Sequence, residues 1–394
     1  MTKYIKDPIY PEYLIFSKLE LKLMDTISFK RLHNIKQLGS LYEVFPSATH
    51  TRFLHSLGVS NLAENYLNKL FDNSDIIKTR KDVKDIQNIK MAGLYHDIGH
   101  GPFSHVFDHY VLEKLCPNNP FKDHEIRSCH ILERTCNKVF NSNELTGYDV
   151  EDIKNYINPV KHINHFKNQI ICNKINSIDV DKLDYLKRDP YFIGSLNSFD
   201  YTRLTNKMKI YNNSIYYHED VADDLFDMYY TRYKLHREIY NHKAVKSIEL
   251  MISDILLDCN REYNFPSIIG TDDFLSIDDT ILTQIKYNKE PLLNKSKKII
   301  KRIENRDIYK QIYKSNTETL EEVRDNILDK YKDNKDDDYH FIELNFNLCN
   351  GMDTPFKNIK FYNYNNYYLD TSSIYTRKLI PNHFNEKVIN VYKK

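Results

Sequence analysis

The chain has no tryptophan, no surplus of charge of either sign and no long apolar run. Its 56 basic and 55 acidic side chains leave a formal net charge of +1, so the overall charge does not indicate nucleic acid or an anionic membrane as a partner. No stretch is apolar over the length of a bilayer, and the first residues contain no apolar core of signal-peptide length. We therefore expect an intracellular, soluble protein, cytoplasmic or nuclear, with no membrane partner.

Cysteine is also used sparingly. The six cysteines form no close pair with the spacing of a zinc ribbon or a redox motif, and nothing in their spacing indicates a disulfide framework. Hydrophobic residues make up 41% of the 394 positions, which is enough for a substantial core. Length and a change in composition predict a core domain over residues 1–260 and a charged helical and mixed α/β lobe over residues 261–394.

Apolar residues recur at intervals of three and four over most of the first 257 positions, which predicts packed helices. The expected helices cover 19–38, 52–70, 83–96, 221–257 and most of 295–335. Alternation of apolar and polar residues predicts short strands near 342–348, 359–362 and 388–392, and charge predicts a solvated loop at 332–338. The expected fold class is mainly α, with a helical core and a small α+β C-terminal lobe.

Residues 95–105 hold three histidines, one aspartate and two glycines directly after a helix-like apolar stretch. The adjacent His96 and Asp97 can offer one nitrogen and one oxygen to a single divalent cation. Gly99 and Gly101 let the backbone pass close to a ligand without obstruction by a side chain. A His-Asp pair occurs by chance in many chains, so a metal-dependent hydrolytic site is predicted only if other residues complete it.

Two further donors stand out by their surroundings. His55 lies at a predicted helix start, three residues after Arg52, and Asp181 lies in a segment rich in aspartate. With His96 and Asp97 they form a set suited to Fe, Mn, Zn or Ni, with positions left for water and a phosphate oxygen. Any single histidine is more often a hydrogen-bonded structural residue, but the combination favours a metal site.

Helix geometry adds two stripes of side chains at four-residue steps. The first, if the segment after residue 176 is helical, is Asp181, Tyr185 and Asp189. The second is Arg232, His236 and Tyr240. A guanidinium that binds phosphate oxygens bidentately, next to an imidazole and a phenol, suits a polyphosphate tail. A solvated helix face explains the second stripe equally well on sequence alone.

Cleavage of a phosphate ester also requires a proton for the departing alkoxide. A histidine can deliver it near neutral pH, and a neighbouring carboxylate can fix its tautomer and raise its pKa. His105 and Asp108 form such a pair if that turn is helical. His124, followed by Glu125, is a weaker candidate for this role or for orienting the water, and His100 is a further titratable group.

Several long motifs match one protein family in their order along the chain. They are residues 29–32, 35–39, 51–59, 96–105, 178–185, 227–232 and 235–237, with a weak match at 391–392. Through them the chain resembles the HD-domain deoxynucleoside triphosphate triphosphohydrolases, and most closely the catalytic core of the branch that also has a SAM domain, without that domain. The resemblance implies an HD-type helical core and near-complete coverage of the chain.

The resemblance also implies the reaction and its residues. A dNTP would be hydrolysed to deoxynucleoside and inorganic triphosphate by water attack at the α-phosphorus, with Mg²⁺ bound to the triphosphate and a homo-oligomer, dimer or tetramer, as the assembly. The implied metal ligands are His55, His96, Asp97 and Asp181. The residues implied in proton transfer, or beside it, are His105, Asp108, His100 and His124. The implied triphosphate ligands are Arg52, Lys182, Arg232 and His236.

Contacts with the sugar are implied in the same way. Gln37 and Asp189 would bind the 3′ hydroxyl, and Tyr185 would pack on the sugar. Leu38 belongs to the same substrate site, and Tyr240 would close against a 2′ hydroxyl, so that the site prefers deoxyribose.

Two other functions fit parts of the pattern. One is an HD phosphohydrolase of another phosphate ester, such as a nucleoside monophosphate or an alarmone. A monophosphate needs fewer cations than the stripe around Arg232 provides, which argues against it. The other is a nucleotide sensor or weak single-stranded nucleic-acid binder without turnover, which four competent metal ligands disfavour.

The chain departs from the family where regulatory nucleotides bind. Asp25 matches a guanine-reading residue, but His33 stands where the family has arginine. Where the family supplies basic residues and an asparagine, the chain has His218, Asp220 and Asp224, with Asn390 near the place of another cation. Acids around a bound polyphosphate replace attraction by repulsion. We therefore expect nucleotide activation to be altered or absent.

This expectation gives a first testable prediction. A single dNTP should be hydrolysed without a lag and without added GTP, because the regulatory cations are replaced. Time courses of product release with and without GTP measure this, and a strict requirement for GTP would contradict it.

Overall fold

Helices dominate the structure, as the sequence predicts. The computed structural model describes residues 2–159, 165–195, 198–331, 335–349, 354, 356–365 and 385–394, with the backbone alone at 368–369. Its α-helices are α1 (Lys18–Met24), α2 (Ile27–Arg31), α3 (Arg52–Asn73), α4 (Arg80–Tyr95), α5 (Glu113–Leu115), α6 (His124–Val139), α7 (Gly147–Ile157), α8 (Val180–Ile193), α9 (Thr202–Asn206), α10 (Ala222–Lys234), α11 (Lys243–Tyr263), α12 (Phe265–Ile268), α13 (Ile281–Tyr287), α14 (Asn294–Glu304) and α15 (Leu320–Lys330). Phe107–Leu112 and Leu235–Tyr240 are π-helical, with wider turns than an α-helix.

Short strands form three small sheets within the described ranges. They are β1 (Lys3–Ile5), β2 (Leu14–Phe16), β3 (Met208–Tyr211), β4 (Ser214–His218), β5 (Lys310–Ser315), β6 (Tyr339–Asn347), β7 (Lys360–Tyr362), β8 (Tyr368–Leu369) and β9 (Asn385–Lys393). The strand orders are β1-β2, β3-β4-β7-β8 and β5-β9-β6, and β4 and β7 are parallel. The strands predicted in the last quarter are confirmed as β6, β7 and β9. The predicted class, mainly α with a small mixed C-terminal lobe, is confirmed as well.

The helices expected over 52–70, 83–96 and 221–257 are confirmed as α3, α4 and the pair α10 and α11. The single helix expected over 19–38 is wrong, because α2 begins anew after Thr26. The Thr26 hydroxyl accepts the Phe29 N–H at 3.2 Å and so caps the second helix.

The charged C-terminal region is less helical than predicted. Strand β5 interrupts the helix expected over most of 295–335, and pairing with β9 explains its extended backbone. Within the loop predicted at 332–338, residues 332–334 lie outside the described residues.

Close packing of α3 on α4 brings the first site residues together. An ideal Cβ on Gly93 of α4 would lie 2.8 Å from the Ser60 Cα of α3, so glycine allows the two backbones to touch. The Ser60 hydroxyl donates to the Lys90 carbonyl at 2.8 Å across the same contact. This contact carries the C-terminal end of α4, with His96 and Asp97, to the side of α3 that bears His55.

A continuous hydrophobic core joins described residues from Ile9 to Tyr392, including Phe265 and Phe274 beyond α11. Segments after residue 260 therefore pack on the helices before it, and the boundary expected there stays a prediction. A smaller cluster joins α15 to the three-stranded sheet; it consists of Val323, Ile327, Tyr339, Ile389 and Val391. Over the described ranges, every helix is too short or too polar to cross a membrane.

The α3–α4 contact gives a prediction about stability. Gly93→Ala should lower the free energy of unfolding by about 1–3 kcal/mol, because the added methyl overlaps the Ser60 backbone. Urea denaturation measures the change. Gly147→Ala is the matched control, since an ideal Cβ there has no neighbour within 4 Å. Equal stability of both variants would contradict the packing argument.

Candidate metal-dependent hydrolytic site

The four side chains predicted as metal ligands lie together where α3, α4 and α8 meet. The His55 Nε2 is 3.3 Å from the His96 Nε2, 3.0 Å from an Asp181 oxygen and 3.7 Å from an Asp97 oxygen. The His96 Nε2 lies 3.4 Å from Asp97 and 3.7 Å from Asp181. Two imidazole nitrogens and two carboxylates at these separations fit a divalent transition metal.

A second group that could hold a cation adjoins the first. Ligand atoms of Asp97, His100 and His124 lie within 4.8 Å of one another, as do those of His55, His96 and Asp181. Asp97 lies between the groups, since its carboxylate is 3.5 Å from the His100 Nε2 and 3.7 Å from the His55 Nε2. The site thus has donors for more than one ion.

Hydrogen bonds on the far side of each imidazole aim its Nε2 at the cluster. The His55 Nδ1 is 2.8 Å from Asp184, and the His96 Nδ1 is 2.8 Å from the Gly93 carbonyl. Burial by itself would raise the pKa of Asp184, but Arg188 and His55 lower it below the ordinary value for aspartate. Asp184 therefore stays ionised and fixes the His55 ring.

Buried arginines hold the segment that follows Asp97. Arg31 donates to the carbonyls of His100 and Ile277 at 2.8 Å each. Arg127 donates to the Gly99 carbonyl at 2.7 Å. A Cβ on Gly99 would collide with the His124 carbonyl, so this glycine allows close approach of protein backbone, whereas the sequence predicted close approach of a ligand. Charge-assisted hydrogen bonds from buried guanidinium groups make this segment rigid.

The proton-transfer pair is placed differently from the prediction. Asp108 contacts Arg127 and lies 3.0 Å from the His124 Nδ1, so the expected pairing of Asp108 with His105 is wrong. The turn after Val106 becomes π-helical, and a three-residue step there no longer shares one face. His105 is solvent-accessible at the cavity wall, and partial desolvation there, then the neighbouring His124 and Arg52, lower its pKa below the ordinary value for histidine. Burial alone would lower the pKa of His124, but the hydrogen bond with Asp108 raises it above the ordinary value for histidine.

The metal cluster opens into a cavity of about 1210 Å³. All nine residues predicted to bind substrate line it; they are Gln37, Leu38, Arg52, Lys182, Tyr185, Asp189, Arg232, His236 and Tyr240. His100, His105 and His124 line it too. The two four-residue stripes thus face one cavity, which excludes a fully solvated helix face for the second stripe.

Cations and acceptors are distributed along the cavity wall. Arg52 contacts Asp97 and donates to the Ser104 hydroxyl at 2.8 Å. Lys182 is 2.8 Å from Asp179; burial would lower its pKa, but Asp179 and Asp181 raise it. The pKa of His236 falls to about 3 through burial, then Arg232 and Lys182. An anion entering this region would meet fixed positive charge.

Asp189 has two partners, Tyr240 and His50, and His50 was not among the residues predicted from the sequence. The Tyr240 hydroxyl donates to Asp189 at 2.5 Å, and the His50 Nε2 lies 2.8 Å from its other oxygen. His50 immediately precedes the matching motif at 51–59, which is the signal that could have identified it. Asp184 had a signal as well, since Arg188 follows it by one helical turn.

A helical fold with this histidine and aspartate cluster defines an HD-type protein. A model of the HD domain matches residues 52–189. The chain is 36% identical to an HD domain-containing protein of Acanthamoeba polyphaga mimivirus, over 89% of this chain and 83% of that protein. It is 33% identical to the deoxynucleoside triphosphate triphosphohydrolase SAMHD1 homolog of Dictyostelium discoideum, over 99% of this chain and 77% of that protein.

A further relative is deoxynucleoside triphosphate triphosphohydrolase SAMHD1 of Bos taurus, which is 34% identical over 78% of this chain and 58% of that protein. The chain belongs to the family of HD-domain proteins that includes these SAMHD1 triphosphohydrolases.

The support of His55 by Asp184 gives a prediction about metal binding. Asp184→Asn should weaken metal binding about 10- to 100-fold, because the His55 ring loses its ionised acceptor. Metal content after chelator titration measures the affinity. Asp149→Asn is the matched control, since that buried aspartate caps α7 away from the cavity. Unchanged affinity in Asp184→Asn would contradict the orienting role.

Proposed function

We propose that the chain is a metal-dependent dNTP triphosphohydrolase that releases deoxynucleoside and inorganic triphosphate by water attack at the α-phosphorus. The observation that carries this proposal is the opening of the four-ligand cluster into a cavity lined by Arg52, Lys182 and Arg232. The names of the SAMHD1 relatives specify the same activity.

The residues at the cluster suit a resident metal. His55, His96, Asp97 and Asp181 would hold it, and the donor set admits Fe, Mn, Zn or Ni. A bound cation would supply Lewis acidity toward water and the α-phosphate. The second group, with Asp97, His100 and His124, supports Mg²⁺ entering with the triphosphate.

The cavity wall provides the triphosphate site. Arg52, Lys182, Arg232 and His236 would bind its oxygens. The Arg232 Nε is buried without a partner among the described residues, and its Nη1 reaches backbone carbonyls only at 3.4 Å. Phosphate oxygens would satisfy this guanidinium better than the protein does.

Other residues of the cavity lining suit a deoxyribose. The buried Gln37 Oε1 has no partner among the described residues, so it can accept a hydrogen bond from a hydroxyl, and Asp189 would bind the same 3′ hydroxyl. Tyr185 and Leu38 would pack on the sugar. Tyr240, held by Asp189, would stand where a 2′ hydroxyl needs room.

Two histidines divide the proton chemistry in this proposal. His105 lines the cavity and would donate to the leaving 5′ oxygen. His124, oriented by Asp108, would orient the attacking water together with His100. The lowered pKa of His105 describes the site without a phosphate; nearby negative charge favours its protonated form.

The predicted assembly rests on the resemblance alone. A homo-oligomer, dimer or tetramer, stays a prediction that sizing with and without nucleotide tests. Hydrolysis of another phosphate ester and a sensor or single-stranded nucleic-acid binder without turnover are the competing functions. A cavity lined by four proposed phosphate ligands, next to four proposed metal ligands, favours dNTP turnover over both.

Release of inorganic triphosphate from a panel of dNTPs tests the proposal. The unaltered protein should release triphosphate and deoxynucleoside in equal amounts. Asp97→Ala and Asp181→Ala should each reduce the rate at least about 100-fold, because each removes a ligand oxygen. Asp325→Ala, on the exposed face of α15, is the matched control and should keep the full rate.

Absence of triphosphate from the unaltered protein would remove the proposed function. Tight dNTP binding without turnover would then favour the sensor, and release of orthophosphate from a monophosphate would favour the other esterase.

A further inference from the structure

The carboxylate of Asp279 bridges two segments that line the cavity. One oxygen accepts the Phe103 N–H at 2.7 Å, and the other accepts the Lys36 N–H at 2.9 Å. Asp279 is partly buried just before α13 and lies outside the residues that match the HD domain. A residue from the region between α12 and α13 thus connects the segment before α3 to the segment after the metal cluster.

The segment after the cluster needs such a contact because its backbone is strained. Phe103 and Ser104 have φ angles of +57° and +54°, in the left-handed region that costs residues with a Cβ energy. The strained turn places the Ser104 hydroxyl 2.8 Å from the Arg52 Nε. Asp279 holds this turn by its first peptide N–H.

The other segment presents Gln37 to the cavity. Lys36 pairs with Thr51, and the Gln37 N–H donates to the His50 carbonyl at 3.0 Å. The buried Gln37 Oε1 remains without a partner among the described residues. An acceptor that is buried, unpaired and on a cavity wall points to a hydroxyl or amino donor on the ligand. Asp279 fixes the residue next to it.

The two segments also touch each other. Gly39 has a φ angle of +52°, and an ideal Cβ there would lie 3.3 Å from the Phe103 carbonyl oxygen. The two segments are therefore in direct contact, and we expect loss of the bridge to change the position of the Gln37 amide relative to Arg52. Burial raises the pKa of Asp279 to about 6, although both N–H contacts lower it, so the carboxylate is ionised at neutral pH.

We propose that Asp279 is a positioning residue for nucleotide recognition: its bridge between Lys36 and Phe103 holds the Gln37 amide where it binds the sugar 3′ hydroxyl. The proposal rests on the proposed function for the identity of the ligand. Asp279 itself touches no substrate, and it acts through Gln37. Arg31 and Arg127 still bind carbonyls of the segment that leads to Phe103, so loss of Asp279 should mainly cost affinity for a ligand with a 3′ hydroxyl.

Kinetics with a dNTP and its 2′,3′-dideoxy analogue test this. In the unaltered full chain the KM for the dNTP should be lower than the KM for the dideoxy analogue, because only the dNTP has a 3′ hydroxyl. Asp279→Asn places an amide N–H against a backbone N–H, and should raise the KM for the dNTP about tenfold, with kcat and the KM for the dideoxy analogue within about twofold. A general structural defect would raise both KM values together or lower kcat on both substrates.

Asp278→Asn is the matched control. Its carboxylate binds the Asn34 amide at 2.8 Å and the Thr280 N–H at 2.9 Å, and it bridges no cavity-lining backbone. The KM for the dideoxy analogue divided by the KM for the dNTP should therefore be the same in this variant as in the unaltered protein. Melting temperature and metal content of both variants establish that they are folded and loaded.

If Asp279→Asn does not fold, Asp279→Glu takes its place, since it keeps the charge but displaces the oxygens. The KM for the dideoxy analogue divided by the KM for the dNTP should decrease in this variant as well. An unchanged ratio in the folded variant, no discrimination by the unaltered protein, or failure of both variants to fold would overturn the proposal. If the unaltered protein releases no triphosphate, the proposed function fails separately, and the ratio of dissociation constants for the same nucleotides still tests Asp279.

Discussion

The rest of the site depends on one buried carboxylate, Asp184. It accepts from the His55 ring at 2.8 Å, from Arg188 at 2.7 Å and 3.0 Å, and from the Tyr10 hydroxyl at 2.5 Å. Gly58 of α3 leaves the space for this group, because a Cβ there would collide with Asp184 and Arg188. A buried charge is stable only with its partners in place. The N-terminal segment, α3 and α8 are therefore joined at the group that orients a metal ligand.

The segment after Asp97 shows the same principle at a longer range. Arg31 and Arg127 bind its carbonyls, and Arg31 also binds the Ile277 carbonyl far along the chain. The HD-domain match covers residues 52–189, yet the cavity is completed by α10, α11 and β6. Ligand positions precise to a fraction of an ångström require such support, because local backbone preferences leave loops free to shift.

Sequence reasoning succeeded where a short-range rule applied. Asp181, Tyr185 and Asp189 follow the helical repeat of α8, and the structure brings them to one cavity with the second stripe. It failed where another segment decided the outcome. Asp108 turns to Arg127 and His124 of α6, and the threonine cap at Thr26 divides a run of helical periodicity. His50 and Asp279 escaped notice because their partners are 139 and 176 or more residues away.

The sequence by itself determined the residue types, their helical spacing, the mainly α fold class and the family. These follow from backbone hydrogen bonding and side-chain period, which act over a few residues. Tertiary structure alone decided which carboxylate orients which histidine, and which histidine Asp108 serves. The reason is physical: desolvation makes an unpaired buried group costly, and its partner is whichever distant side chain the packing of the helices brings within hydrogen-bond distance.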